Sequence, residues 1–143
     1  MQTSRENRRE ELQAELDAAK TGKERNRLGQ FGTPYELAAE MLSYAKGLLP
    51  SGAQISFLDP GFGTGAFYSA LLQTFHSDRI TRAEGFEIDP HYYHPTADLW
   101  KDTPLKIHRN RNSGDTILNS AFRSLSVHPS IQCPVLYGFG DVG

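Results

Sequence analysis

A single cysteine, Cys133, among 143 residues allows no internal disulfide and no cysteine-based zinc site, so no covalent or metal staple of that kind holds this chain. An apolar core must do so. Long hydrophobic runs are missing too. Nothing approaches the roughly 18 consecutive apolar residues of a membrane helix, and the start, MQTSRENRREEL, is polar where a secretory signal is apolar. The expectation is a cytoplasmic protein without a membrane partner. Charge of one sign is also lacking: 15 Lys and Arg stand against 17 Asp and Glu, a formal net charge of −2. That balance removes the basic excess by which phosphate binding usually shows, so any nucleic-acid reading has to rest on motifs. What remains fits one modest soluble domain, 38% hydrophobic with 13 Gly and 8 Pro.

Three stretches differ in pattern. Residues 1–28 form a charge-dense leader, and from residue 3 onward seven Lys or Arg nearly cancel six Asp or Glu. Good helix formers run from Arg5 to Lys20, and the thin stripe Leu12, Leu16, Ala19 predicts a helix lying on the domain surface. It reads as a solvated leader helix, with a DNA-contacting arm as the alternative. Residues 29–108 alternate between helical and strand periodicity, the signature of a parallel sheet with crossover helices. Thr33-Pro34-Tyr35-Glu36 has the form of a capping box with Pro at the first helical position, and Leu37, Met41, Ala45 and Leu48 follow at helical spacing. Strands are expected over 54–59, 81–88 and 104–108. Helices are expected over 65–75, with Phe67, Leu71, Leu72 and Phe75 inward, and over 91–101, with Tyr93, Ala97 and Trp100 on one face and Pro95 confining its start or kinking it. The order is a helix followed by βαβαβ. Residues 109–143 fade into an irregular tail whose only strand-like piece is Pro134 to Tyr137.

Chemistry concentrates where the first strand meets its helix, in FLDPGFGTGAF (Phe57 to Phe67). Gly61, Gly63 and Gly65 let the backbone bend sharply and approach a ligand, and the following helix offers unpaired N–H groups. Gly61-x-Gly63-x-x-Ala66 also satisfies the dinucleotide-type glycine pattern, and a purely structural turn has the same residues. Asp59 favours a cationic ligand, since a carboxylate beside the turn repels a pyrophosphate. Glu87 closes the second strand 24 residues beyond Gly63, the separation at which an acidic side chain takes ribose hydroxyls. Ile88 beside it is placed either to pack on an adenine face or to serve as an ordinary core residue. His91 and His94 lack a third ligand and read as surface histidines.

GQFGTPYELAAEML (Gly29 to Leu42), FLDPGFGTGAF and GFEIDP (Gly85 to Pro90), in this order and spacing, resemble the first landmarks of the N6-adenine-specific DNA methyltransferases of restriction-modification systems. The resemblance covers about residues 27–108. It implies a partial Rossmann-like class I methyltransferase fold with S-adenosyl-L-methionine as cofactor. Phe31, Thr33 and Pro34 would line the pocket, Asp59, Pro60, Gly63, Thr64 and Gly65 would wrap the methionine part, and Glu87 would hold the ribose. It also implies direct displacement, the adenine N6 attacking the sulfonium methyl with no metal and no covalent enzyme intermediate.

The departures limit what this chain is expected to do alone. The Asn/Asp-Pro-Pro-Tyr/Phe segment with which the family receives a flipped adenine occurs nowhere in the 143 residues, so the chain alone is expected to be inactive and to bind DNA weakly or not at all. Only three of the roughly six or seven strands of such a sheet are legible. Gly114-Asp115 is a distant candidate for the acidic position after the third strand, and Gln132-Cys133-Pro134 reverses the Pro-Cys order of cytosine methyltransferases. The change of composition at Arg109 predicts a truncated or frame-shifted product with a poorly ordered tail, self-associating through an exposed sheet edge. Two alternatives stay open: a methyltransferase acting on RNA or a small molecule, and a non-catalytic binding or interaction remnant.

Overall fold

The computed structural model describes residues 4–27 and 29–109. The tail motifs at Asp115, Cys133 and Pro134 to Tyr137 lie outside them. Helices α1 (Ser4–Ala18), α2 (Gly22–Arg27) and α3 (Tyr35–Leu48) precede strand β1 (Ile55–Asp59), helix α4 (Ala66–Thr74), strand β2 (Ile80–Glu87), helix α5 (Pro90–Trp100) and strand β3 (Lys106–Arg109). The three strands are parallel in the order β1-β2-β3, with Asp59 level with Gly85 and Gly85 level with Ile107. This is a small α/β unit compatible with part of a Rossmann-like sheet. Among the described residues β1 is an edge strand, and no helix is long and apolar enough to cross a membrane.

One face of the sheet carries the core. Ile55, Phe57 and Ala83 pack with Ala38 and Leu42 of α3, Tyr68 and Leu71 of α4 and Trp100 of α5. Aromatic contacts knit the helices together: the Tyr68 ring meets Trp100 edge-on at 5.0 Å and Phe57 at 6.0 Å. Burying such rings removes the largest apolar areas of the chain from water.

Several helix faces differ from those the spacing predicts. In α3 the buried residues are Ala38, Leu42 and Ala45, while Leu37, Met41 and Leu48 are exposed. Small side chains face inward because α3 lies close along α4, where Ala38 is fully buried. The capping box does not form. Pro34, with extended backbone, is itself the N-cap, its carbonyl accepts from Ala38 N, and no side chain caps the helix. In α4 Tyr68 and Leu71 are buried and Leu72 is exposed. In α5 Tyr92, Thr96 and Trp100 take the inner face, one position before the expected Tyr93 and Ala97. Pro95 sits inside α5 without ending it, and Pro90 occupies the first turn behind an Asp89 N-cap. The leader helix packs through Leu12 and Leu16 on Tyr92 and Leu99, but Ala19 lies beyond its end and is exposed.

Phe62 is the wedge beneath the glycine turn. A Cβ added at Gly85 would overlap its ring, and one at Gly65, which has φ +90°, would fall 2.6 Å from Phe62 Cζ and 2.9 Å from Trp100 Nε1. Gly85→Ala is therefore expected to cost about 1–3 kcal/mol through overpacking. Gly47, inside α3 with open space around it, is expected to gain about 0.5–1 kcal/mol on replacement by Ala. Urea unfolding of both variants checks the pair. A neutral Gly85→Ala would remove Phe62 as the wedge.

Candidate functional site

Two carboxylates close the adjacent strands. Asp59 ends β1 and Glu87 ends β2, and both are buried. Between them the chain leaves β1 through Pro60 and enters α4 at Ala66, six residues later. Gly63 (φ +53°) and Gly65 (φ +90°) both adopt left-handed backbone, a region that side-chain-bearing residues enter only with strain.

The turn is tied down at several points. Phe62 N donates to Phe86 O at 3.0 Å and Gly65 N to Phe62 O at 2.8 Å. From α5, Thr96 Oγ1 donates to Gly63 O at 3.0 Å and Trp100 Nε1 to Thr64 O at 2.9 Å. With the carbonyls satisfied on that side, Gly63 N donates to Glu87 Oε2 at 2.9 Å. Asp89 N donates to Glu87 Oε1 at 2.9 Å, and Gly61 N to Asp59 Oδ1 at 3.0 Å.

Backbone N–H groups are thus the partners of both carboxylates, and among the described residues no side-chain cation pairs with either. Burial raises the Asp59 pKa to about 6, opposed by the Gly61 N–H and aided by the charge of Glu87. Burial likewise raises Glu87, against the hydrogen bonds from Asp89 and Gly63. Asp89 behaves in the opposite way. Its burial is outweighed by hydrogen bonds from Lys20, Gln30 and His91 N, which take it down to about 2. Two neighbouring carboxylates held above their usual range, beside a third that is fully partnered, form a site that gains by receiving positive charge.

The residues singled out from sequence fall into two groups. Asp59, Pro60, Gly63, Thr64, Gly65 and Glu87 are brought together by the strand tips and the turn, with half-buried Ile88 directly after β2. Phe31, Thr33 and Pro34 lie on the segment before α3, where Phe31 is 69% exposed. Their segment is tied to the site by its neighbours: Gln30 Nε2 donates to Asp89 Oδ2 at 2.7 Å, and Gly32 lies against the Gln13 side chain. Thr64 is 2% exposed, and its hydroxyl already donates to Gln13 Oε1 at 2.7 Å and accepts from Arg9 Nη1 at 3.0 Å. His91, read as a surface residue, is half-buried and bonds the Leu16 carbonyl at 2.9 Å, whereas His94 is exposed.

Sequence reasoning missed the partners supplied by α1, by Lys20 just beyond it and by α5, namely Arg9, Gln13, Lys20, Thr96 and Trp100. A signal for the first three was present. Glu6, Arg9, Gln13, Asp17 and Lys20 recur at spacings of three and four, a polar helical stripe beside the apolar one.

No protein-family model matches the chain, and no solved structure matches it. The resemblance to adenine methyltransferases therefore rests on the motifs and their placement.

Linkage gives the site a pH signature. The folded-state pKa of Asp59 lies above its unfolded value of 3.8, so folding favours its protonated form. That contribution is complete below about pH 4 and is lost as the pH rises through about 6. Asp59→Asn, which keeps an acceptor for Gly61 N, is expected to stabilise the protein at pH 7 by about 2–3 kcal/mol and to change little below pH 4. Denaturant titrations at pH 3.5 and pH 7 measure the difference. Equal shifts at both values would show that Asp59 is not held above its usual range.

Proposed function

We propose that this chain binds S-adenosylmethionine over the tips of β1 and β2, as the cofactor-binding unit of a DNA adenine-N6 methyltransferase. The observation that carries the reading is the pairing of buried Asp59 and Glu87 around the left-handed glycine turn, with N–H groups and, among the described residues, no side-chain cation as their partners. A nicotinamide dinucleotide would bring a pyrophosphate to that turn and add negative charge beside Asp59. A sulfonium ligand with an ammonium group brings positive charge there instead.

The donor set fits such a group. Each Glu87 oxygen accepts one backbone N–H and has acceptor capacity left for a ribose hydroxyl. Asp59 Oδ1 is held by Gly61 N, so its carboxylate is fixed in orientation while its charge remains unneutralised. Half-buried Ile88 offers an apolar surface next to the ribose position. The cofactor would supply an activated methyl group, and these residues would orient it and exclude water from its charged centre.

Transfer to adenine needs polar acceptors for the N6 amine and a ring to stack on the flipped base. The Asn/Asp-Pro-Pro-Tyr/Phe segment that supplies them is absent from the 143 residues. The chain alone is accordingly expected to hold cofactor and transfer nothing.

Calorimetry checks the first half. S-adenosylmethionine is expected to bind more tightly than NAD, and Glu87→Gln to weaken it by about 1–3 kcal/mol. Affinity is expected to rise from pH 5 to pH 7 as Asp59 gives up its proton, more for the sulfonium than for the neutral thioether product. Tighter NAD binding, or a flat pH profile, overturns the reading. A radiolabelled-methyl assay checks the second half: incorporation into DNA above a Gly63→Asp control would contradict the assigned lack of transfer.

A further inference from the structure

The leader helix does more than lie on the surface. Its polar stripe runs along the mouth of the site and touches both limbs of it. At one end Arg9 is 3% exposed and Glu6 fully buried, and Arg9 Nε donates to both Glu6 oxygens at 3.0 and 2.9 Å. Arg9 Nη1 then reaches Thr64 Oγ1 at 3.0 Å. One turn on, Gln13 Oε1 accepts from the same hydroxyl at 2.7 Å while Gln13 Nε2 donates to Asp17 Oδ1 at 2.9 Å. Asp17 in turn accepts from Tyr92 OH of α5 at 2.7 Å. Beyond the helix end, Lys20 Nζ donates to Asp89 Oδ2 and to Gln30 Oε1, the latter at 2.8 Å. Asp89 N holds Glu87 Oε1. Through α1 and the backbone bond from Lys20 N to Asp17 O at 3.2 Å, hydrogen bonds thus link the turn after β1 to the residues after β2.

We propose that α1 is a clamp on the ligand site, in which Arg9, Gln13 and Lys20 are positioning residues that fix the glycine turn relative to the tip of β2. Thr64 lies between Gly63, whose N–H bonds Glu87, and Gly65, the left-handed N-cap of α4. Holding its side chain holds both neighbours. Buried networks of this kind are stiff because each bond forms in a low dielectric and an unmade one leaves a desolvated group without a partner. The clamp is also nearly neutral: Arg9 is matched by Glu6 and Lys20 by Asp89, so α1 adds little net charge beside Asp59 and Glu87. That leaves the two carboxylates to meet a cation from solution.

The role in affinity rests on the cofactor reading above, whereas the role in setting the turn does not, and the test separates them. Arg9 itself is a poor first variant, since its loss takes a buried counter-charge away from Glu6. Thr64→Val and Gln13→Met keep volume and remove the hydrogen bonds, Thr64→Ser restores the hydroxyl, and Arg8→Ala alters an exposed residue of the same helix. In ligand-free protein, hydrogen exchange at the Phe62, Gly63 and Gly65 amides is expected to quicken about tenfold in Thr64→Val and Gln13→Met. Exchange in β1 and β2 should be unchanged, with wild-type rates in Thr64→Ser and Arg8→Ala. S-adenosylmethionine affinity, measured where all variants are fully folded, is expected to fall about tenfold in the same two variants, and the double variant to be no worse than either. Wild-type exchange at the turn in Thr64→Val and Gln13→Met overturns the clamp. Altered exchange with unaltered affinity overturns its role in binding. Absence of binding by the wild-type protein overturns the cofactor reading and that role with it, while the exchange result still decides whether α1 sets the turn.

Discussion

The hydrogen bond from Gly63 N to the Glu87 carboxylate is the constraint on which the site depends, because it ties the turn after β1 to the tip of β2. For Gly63 to present its N–H there, its backbone must be left-handed and its carbonyl must point elsewhere. Thr96 accounts for the carbonyl. Trp100 does the same for Thr64, and the indole can reach it only because Gly65 and Gly85 have no Cβ to displace Phe62. Core packing and site geometry are therefore one problem here. The ring that fills the space under the turn also dictates which residues around it must be glycine.

The electrostatics follow from the same construction. Parallel strands bring their C-terminal ends to one side, so side chains that close neighbouring strands converge there. Asp59 and Glu87 are such a pair, and burial keeps water from screening them. N–H dipoles offset part of the cost, but both groups remain easier to protonate than free carboxylates. A protein selected for stability alone would place an amide or an apolar residue at Asp59. Under the proposed cofactor reading, keeping a carboxylate at Asp59 trades expected stability at neutral pH for ligand binding.

Much of this was legible before the structure. Element order was readable because short strand-like runs alternate with segments of helical spacing, and the turn because glycine spacing encodes backbone freedom directly. Helix faces were harder. The stripe Leu37, Met41, Ala45, Leu48 counts hydrophobicity, whereas the interior of α3 is decided by fit against α4, where Ala38 and Ala45 allow close approach. Thr33 carries the right side chain for a cap, but the extended Pro34 takes the position itself. The role of α1 was hidden for a different reason. Polar residues at helical spacing normally mark the solvated face, and only long-range contacts to Thr64, Tyr92 and Asp89 show that this stripe points inward.

The buried Glu6–Arg9 pair bears on what the leader helix contributes. Taking two charges out of water costs several kcal/mol per ion before their attraction offsets it, so such a pair is a weak source of stability compared with apolar packing. Leu12 and Leu16 already supply that packing against Tyr92 and Leu99. What the ion pair adds is position. The guanidinium can face both Glu6 oxygens through its Nε side and still extend Nη1 to Thr64 only if α1 sits at one height along the turn. A shift of one helical residue would move each Cα by about 1.5 Å and swing it around the axis, breaking the Arg9, Gln13 and Lys20 contacts together. Apolar contacts tolerate sliding of that size far better than hydrogen bonds do. The leucines therefore hold α1 on the domain, and the polar stripe determines where along the site it rests.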